Sequence, residues 1–198
     1  MTRSELLREL GRKAFHQLSL VYLAAFFFFG WPRVAWVMAV WMPVVLIIET
    51  ARLKVPAVER FLLGLMGGLM RESERAHYSG IIFTTAGCMA AMLIARGDPV
   101  IVSAAILQLA LADSASALVG KACGKTKLFG GVKSLEGSLA GFATGYAAAV
   151  ACGVRPAAAF AAALAGSLAE LLPTTPWFND NLWIPVATAA TLVLVGAR

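Results

Sequence analysis

The sequence predicts an all-α protein that crosses a membrane about seven times as a helical bundle. Of its 198 residues, 60% are hydrophobic and only 14% are charged, and the mean hydropathy is +0.77. A soluble domain would be roughly 45–50% apolar and about 25% charged. Because each spanning helix needs ~20 apolar residues, the chain has room for these spans and for no separate soluble domain. We therefore expect residues 1–198 to form a single membrane-embedded domain.

Seven apolar stretches are the predicted spans. They cover residues 14–31, 34–48, 79–95, 99–119, 135–152, 156–172 and 182–197. A further apolar stretch, residues 61–70, is too short to cross a bilayer, so we expect an interfacial or re-entrant segment there. Most of the motif-like residues lie in the connections after the fourth and sixth spans, residues 120–134 and 173–181.

The distribution of basic residues orients these spans. If the N-terminus is cytoplasmic, thirteen of the 17 lysines and arginines fall on the cytoplasmic side. The positive-inside rule therefore predicts an internal N-terminus and an external C-terminus. Every polar, motif-like stretch then lies at the cytoplasmic face of what we expect to be the cell (inner) membrane. The net charge of +6 is explained by this orientation, and we expect no nucleic-acid partner.

Asp113 is the most unusual residue in the predicted spans. It lies in the fourth span, about 9 Å from the cytoplasmic end at 1.5 Å per residue. An aspartate there costs roughly 2.5–3.5 kcal/mol even on a lenient insertion scale. No basic residue lies within one helical turn, whereas Ser116 and Gly120 share its face of the helix. Intramembrane acids are functional by default; the alternative is a structural hydrogen bond or ion pair with another span.

Lysines and glycines are concentrated in the loop of residues 120–134. Glycines let backbone N–H groups approach an anion, and lysines supply charge for phosphate. The spacing differs from that of a P-loop, which has four residues between its glycines and follows a strand. The loop is a candidate nucleotide-binding segment, and the alternative is an ordinary positive-inside loop in contact with anionic lipid.

Further polar residues are expected at the same face. Glu136 follows Ser134 in the first turn of the fifth span, where it can stabilise the helix or take part in a metal–phosphate site. The other candidates are Arg12, Lys13, His16, Glu170, Asp180 and Asn181. Acids that hold Mg²⁺ or Mn²⁺, placed beside lysines that hold phosphates, are what phosphoryl transfer needs, because that reaction depends mainly on positioning and charge neutralisation.

Two sets of residues are predicted to be structural. Gly137, Gly141 and Gly145 recur every four residues, a spacing that lets two membrane helices pack closely. Cys88, Cys123 and Cys152 have neither a disulfide nor a zinc spacing, so we expect them to be small buried side chains.

The candidate residues form a central block and three flanking motifs. The central block holds Asp113, Gly120-Lys121, Gly124-Lys125 and Lys133-Ser134-Leu135-Glu136-Gly137. The flanking motifs are Arg12-Lys13-x-x-His16, Glu170-x-x-Pro173 and Asn179-Asp180-Asn181-Leu182-x-Ile184-Pro185. Together these motifs resemble those of the dolichol kinase and phytol kinase family. The family is related to the CTP-dependent diacylglycerol kinases and, more distantly, to phosphatidate cytidylyltransferases. Ala112 departs from the pattern, since glycine often precedes the aspartate, and this leaves the identity of the lipid open.

The resemblance implies a CTP-dependent kinase for a polyprenol, a phytol-like alcohol or diacylglycerol, with Mg²⁺ or Mn²⁺ as cofactor. The expected metal ligands are Asp113 and Glu136, and the general base is Asp113 or His16. The expected nucleotide-binding residues are Ser116, Gly120, Lys121, Gly124, Lys125, Lys133, Ser134 and Glu136. One alternative is a nucleotidyltransferase that acts on a lipid phosphate. Another is a transporter or flippase with Asp113 as its ion site, which leaves the lysine–glycine loop unexplained.

Overall fold

The computed structural model describes residues 11, 13, 16–66, 76–128, 133–172 and 179–198, and this part of the chain is mostly helical. The helices are α1 (Leu20–Phe29), α2 (Arg33–Lys54), α3 (Pro56–Met66), α4 (Gly80–Ile94), α5 (Pro99–Leu107), α6 (Asp113–Cys123), α7 (Leu135–Ala151), α8 (Pro156–Leu171) and α9 (Asp180–Val195). A short 3₁₀ helix, Gln17–Ser19, precedes α1. Two short strands, β1 (Lys127–Leu128) and β2 (Lys133–Ser134), pair antiparallel within the lysine–glycine loop. The predicted helical fold is confirmed at this level.

Among the described residues, two helices are long and apolar enough to cross a membrane by length and composition alone. They are α2 and the continuous helix Pro99–Cys123, in which a π-helical segment joins α5 to α6. Four shorter apolar helices cover Gln17–Phe29, Gly80–Ile94, Pro156–Leu171 and Asp180–Val195. Of the apolar window of α2 only 22% is buried, against 67% for Pro99–Cys123. The latter is therefore the central helix and α2 is peripheral.

Helix α2 extends beyond the predicted span because its charged end is internally paired. The Arg52 guanidinium donates to both carboxylate oxygens of Glu49, at 3.1 and 2.9 Å, and both side chains are buried. Glu49 also accepts the main-chain N–H of Ser79, and Arg52 donates to the main-chain oxygen of His77. These bonds attach the end of α2 to the residues that precede α4.

The segment predicted to be interfacial or re-entrant begins within helix α3. Val55 has an extended backbone, as expected before a proline, and α3 starts at Pro56. Residues 61–66 form the second half of α3, with Phe61 exposed. Residues 67–70 lie outside the described residues.

Close packing of α7 on the central helix confirms the structural prediction for its three glycines. A Cβ added at Gly137 would lie 2.6 Å from the main-chain oxygen of Ser116. A Cβ at Gly141 would lie 3.1 Å from the main-chain oxygen of Ala112, and one at Gly145 would overlap the side chain of Gln108. Successive glycines along α7 thus contact successively earlier residues of the central helix, so α6 and α7 run antiparallel. The end of α6 therefore lies beside the start of α7.

The prediction for the cysteines is wrong at one position. Cys88 is buried on α4 and Cys152 is partly buried. Cys123 is exposed because α6 ends there, where the chain leaves the packed bundle.

Candidate functional site

Asp113 begins helix α6 directly after the π-helical segment Gln108–Ala112. An inserted π turn changes the direction in which the following side chains point, and such turns often occur at functional sites. Asp113 is buried. Its burial requires compensation, since an isolated carboxylate is poorly solvated in the interior of a bundle.

The compensation comes from residues that precede α1. The Lys13 ammonium donates to the Asp113 carboxylate and, at 3.2 Å, to the main-chain oxygen of Asp113. His16 Nε2 lies 3.3 Å from the same carboxylate oxygen and 3.2 Å from the main-chain oxygen of Leu109. Asp113 is therefore held by two cationic or potentially cationic side chains, as the structural alternative for this residue predicts.

The irregular backbone of the π segment also takes part in this contact. Gln17 Nε2 donates to the main-chain oxygen of Ala110 and to the Ser114 hydroxyl, both at 2.8 Å. Side chains that satisfy carbonyls in this way are a recognised means of stabilising irregular helical geometry. The chain around His16 and Gln17 thus stabilises the π turn that positions Asp113.

A second ion pair lies on the other side of the site. Lys133, on β2, donates to the carboxylate of Glu170 in the last turn of α8. Glu170 is buried, whereas the Lys133 side chain is 24% exposed. The two pairs place a carboxylate and an ammonium on each side of the space between α6 and α8.

That space is a narrow cleft, here called the Asp113–Glu170 cleft. Its lining residues are Gln108, Ala112, Asp113, Ser116, Ser138, Gly141, Gly166, Ser167, Glu170 and Ile184. Its free space is about that of one water molecule. Two carboxylates, three hydroxyls and one carboxamide line it, so the cleft is rich in oxygen ligands.

Glu136 is held away from this cleft. Its carboxylate oxygens accept the main-chain N–H of Thr126, at 3.0 and 3.2 Å. The Ser134 hydroxyl accepts the N–H of Gly137 and caps α7. Ser138 and Gly141 are the residues of α7 that line the cleft, and Glu136 is not among the lining residues. The structure therefore brings Asp113 together with Glu170, and it does not bring Asp113 together with Glu136.

The loop packs closely on the start of α7. A Cβ at Gly124 would lie 2.2 Å from the main-chain oxygen of Gly120 and 2.4 Å from the Ser134 hydroxyl. Lys121 and Lys125 are exposed and do not line the cleft. Gly120 and Gly124 thus have a packing role, and the two lysines lie at the surface beside the site.

The remaining candidates are Ser116, Asp180, Asn181 and Arg12. Ser116 lines the cleft. Asp180 is buried at the start of α9, within electrostatic range of His16. Asn181 donates weakly to the main-chain oxygen of Gly80. Arg12 lies outside the described residues.

Gln108 is a cleft residue that the sequence analysis missed. Its side chain is only 2% exposed and it lies five residues before Asp113. The sequence does contain a signal for Gln108, because a polar amide in the middle of an apolar span has few hydrogen-bond partners there.

Asp113 and Glu170 are the residues of the cleft that could hold a divalent cation. Among the described residues no three His, Cys, Asp or Glu side chains form a ready-made metal site. Mg²⁺ commonly takes only one or two protein carboxylates and completes its shell with water and substrate phosphate. Asp113 and Glu170 supply two carboxylates in one cleft.

Neither a family model, nor a curated protein, nor a solved structure matches the chain.

Proposed function

We propose that the protein is a multi-pass membrane lipid kinase. It transfers the terminal phosphoryl group of CTP to the hydroxyl of a polyprenol, a phytol-like alcohol or diacylglycerol. The observation that carries the proposal is the arrangement of two ion pairs, Lys13–Asp113 and Lys133–Glu170, at one cleft. The resemblance of the surrounding motifs supplies CTP and the lipid alcohol.

The alternating charges suit a nucleoside triphosphate. Each lysine now neutralises a carboxylate. A triphosphate is itself negatively charged, so it can form ion pairs with the ammonium groups of Lys13 and Lys133 in place of the two carboxylates. The carboxylates of Asp113 and Glu170 are then free to hold Mg²⁺, which neutralises charge on the phosphates during transfer. Because the Glu136 carboxylate is bound to the loop backbone, Glu170 is the better candidate for the second carboxylate that holds Mg²⁺.

The lysine–glycine loop is the proposed docking surface for the rest of the nucleotide. Lys121, in the last turn of α6, and Lys125, between α6 and β1, are both exposed. Glu136 and Ser134 fix the loop by binding Thr126 and by packing against Gly124. A fixed loop loses less conformational entropy when it binds a ligand.

His16 and Asp113 are the candidates for accepting the proton of the lipid hydroxyl. His16 Nε2 lies 3.3 Å from the Asp113 carboxylate, so the two groups can share one proton. Phosphoryl transfer passes through a loose transition state and needs little help from a base. The main task of these residues is therefore to place the acceptor hydroxyl.

The proposed arrangement in the membrane has seven spans, with the N-terminus and the cleft at the cytoplasmic face. The apolar helices of the described chain support it, since two are long enough to cross and four are shorter but apolar. The ion pairs and the loop also lie together at one end of the bundle, as a site at one membrane surface requires.

The test is an assay of the purified protein in detergent with Mg²⁺, four labelled nucleotides and a set of lipid alcohols. We expect a phosphorylated lipid and the nucleoside diphosphate, with the highest rate from CTP. Release of pyrophosphate from CTP and a lipid phosphate would instead identify a nucleotidyltransferase. Ion or lipid movement in liposomes, with no transfer from any nucleotide, would favour the transporter.

A further inference from the structure

Gln108 is a buried polar side chain that takes part in neither of the two ion pairs. It lies in the π segment, and only 2% of it is exposed. Within the residues that the structure describes, its carboxamide makes no hydrogen bond, although it lines the Asp113–Glu170 cleft. An amide that faces a narrow cleft without a protein partner calls for a ligand or a bound water in that cleft.

Two glycines make the space that the Gln108 side chain occupies. A Cβ at Gly145 would lie 1.9 Å from Gln108 Oε1. A Cβ at Gly166 would lie 2.8 Å from both Gln108 Cγ and Nε2. Any larger residue at either position would displace the amide, so α7 and α8 are shaped around it.

Ser116 is a second polar group of the same kind. It is 6% exposed, it lines the same cleft, and its hydroxyl has no hydrogen-bond partner among the described residues. Gln108 and Ser116 lie on the central helix on either side of Asp113, and Gln108 is further from the polar end of the bundle. The unpartnered groups therefore flank the Asp113 carboxylate, and Gln108 is the one that lies toward the apolar interior.

We propose that Gln108, with Ser116, binds the hydroxyl of the lipid alcohol and that the inner end of the cleft is the acceptor subsite. This inference rests on the proposed function. A hydroxyl donates one hydrogen bond and accepts others, as a carboxamide and a serine hydroxyl do. A triphosphate offers only acceptors and charge, which the lysines match better. Gln108 thereby places the acceptor oxygen next to Asp113.

The experiment compares the binding of two probes to the full-length protein in detergent, without nucleotide. Phytol carries the hydroxyl, and phytane is the corresponding hydrocarbon. Wild type should bind phytol at least tenfold more tightly than phytane. Gln108→Leu should lose this preference while keeping its affinity for phytane. The matched control is Thr188→Val, because Thr188 is similarly buried and, within the described part of the chain, its hydroxyl donates to the main-chain oxygen of Ile184 and to no other group.

Kinetics then separate this inference from the proposed function. Gln108→Leu should raise the KM for the alcohol about tenfold and leave the KM for CTP unchanged. Ser116→Ala should act in the same direction and serves as the second variant if Gln108→Leu does not fold. Preferential binding of phytol without transfer from any nucleotide would refute the kinase and support the subsite. Active kinase variants with unchanged alcohol affinity, or a wild type that binds phytane equally well, would overturn the subsite and leave Gln108 as the ligand of a water molecule.

Discussion

Lys13 and Asp113 form an ion pair across 100 residues of sequence. The ammonium also donates to the main-chain oxygen of Asp113, so it contacts the side chain and the backbone of one residue. Both side chains are buried. This pair attaches the N-terminal segment to the central helix at the proposed catalytic carboxylate.

The first prediction concerns Asp113→Asn. The sequence alone presents an unpaired acid, whose removal would leave stability level or raise it. The ion pair reverses that expectation, because the variant leaves Lys13 buried without its counter-charge. Breaking one side of a buried pair is destabilising by about 3–5 kcal/mol. We expect a lower melting temperature in detergent and a loss of turnover by orders of magnitude.

The double variant Lys13→Met/Asp113→Leu separates structure from chemistry. Replacing both partners by apolar side chains removes the uncompensated charge, so most of the stability should return. Turnover should stay absent, because the Asp113 carboxylate is gone and only that of Glu170 remains in the cleft. A stable double variant with near-normal turnover would show that the pair is structural only.

The second prediction concerns the charge that Lys133 contributes. Lys133→Ala should raise the KM for nucleotide about tenfold, which corresponds to ~1.4 kcal/mol, and leave the KM for lipid nearly unchanged. Lys127→Ala is the matched control, because Lys127 lies on the neighbouring strand and is exposed. Equal effects of the two variants would mean that the loop acts only through its overall charge.

The sequence predicts the helices well because apolar runs are a local signal. It cannot predict the partners of Asp113 and Glu170, since Lys13 and Lys133 lie 100 and 37 residues away in sequence. Glu136 was the obvious second carboxylate from its motif. The Glu136 carboxylate instead accepts the Thr126 N–H, and this bond depends on how the loop folds back onto α7. Gln108 was missed because its significance comes from the cleft and from the glycines of two other helices.

The third prediction concerns orientation in the membrane. Cys123 is a natural probe, because it is exposed at the end of α6. In a Cys152→Ser background, a membrane-impermeant maleimide should label Cys123 only after the cells are permeabilised. Arg33→Cys, made together with Cys123→Ser and Cys152→Ser, should be labelled in intact cells, since Arg33 is exposed at the opposite end of α2 from Arg52. Labelling of both probes from outside would overturn the proposed topology.

The last prediction distinguishes the two candidate partners of Asp113 in metal binding. Activity should require Mg²⁺ or Mn²⁺ and be lost on chelation, because carboxylates repel a triphosphate unless a cation neutralises the charge. Glu170→Gln should raise the Mg²⁺ concentration needed for half-maximal activity by about tenfold or more, since an amide lacks the charge that holds the ion. Glu136→Gln should instead raise the KM for nucleotide with little change in the Mg²⁺ requirement, because it weakens the bonds that hold Thr126 and the loop to α7. The measurements are a Mg²⁺ titration of both variants at saturating nucleotide and a nucleotide titration at saturating Mg²⁺. The reverse pattern, with the Mg²⁺ requirement raised by Glu136→Gln alone, would return the second carboxylate to the start of α7 and leave Glu170 as a structural partner of Lys133.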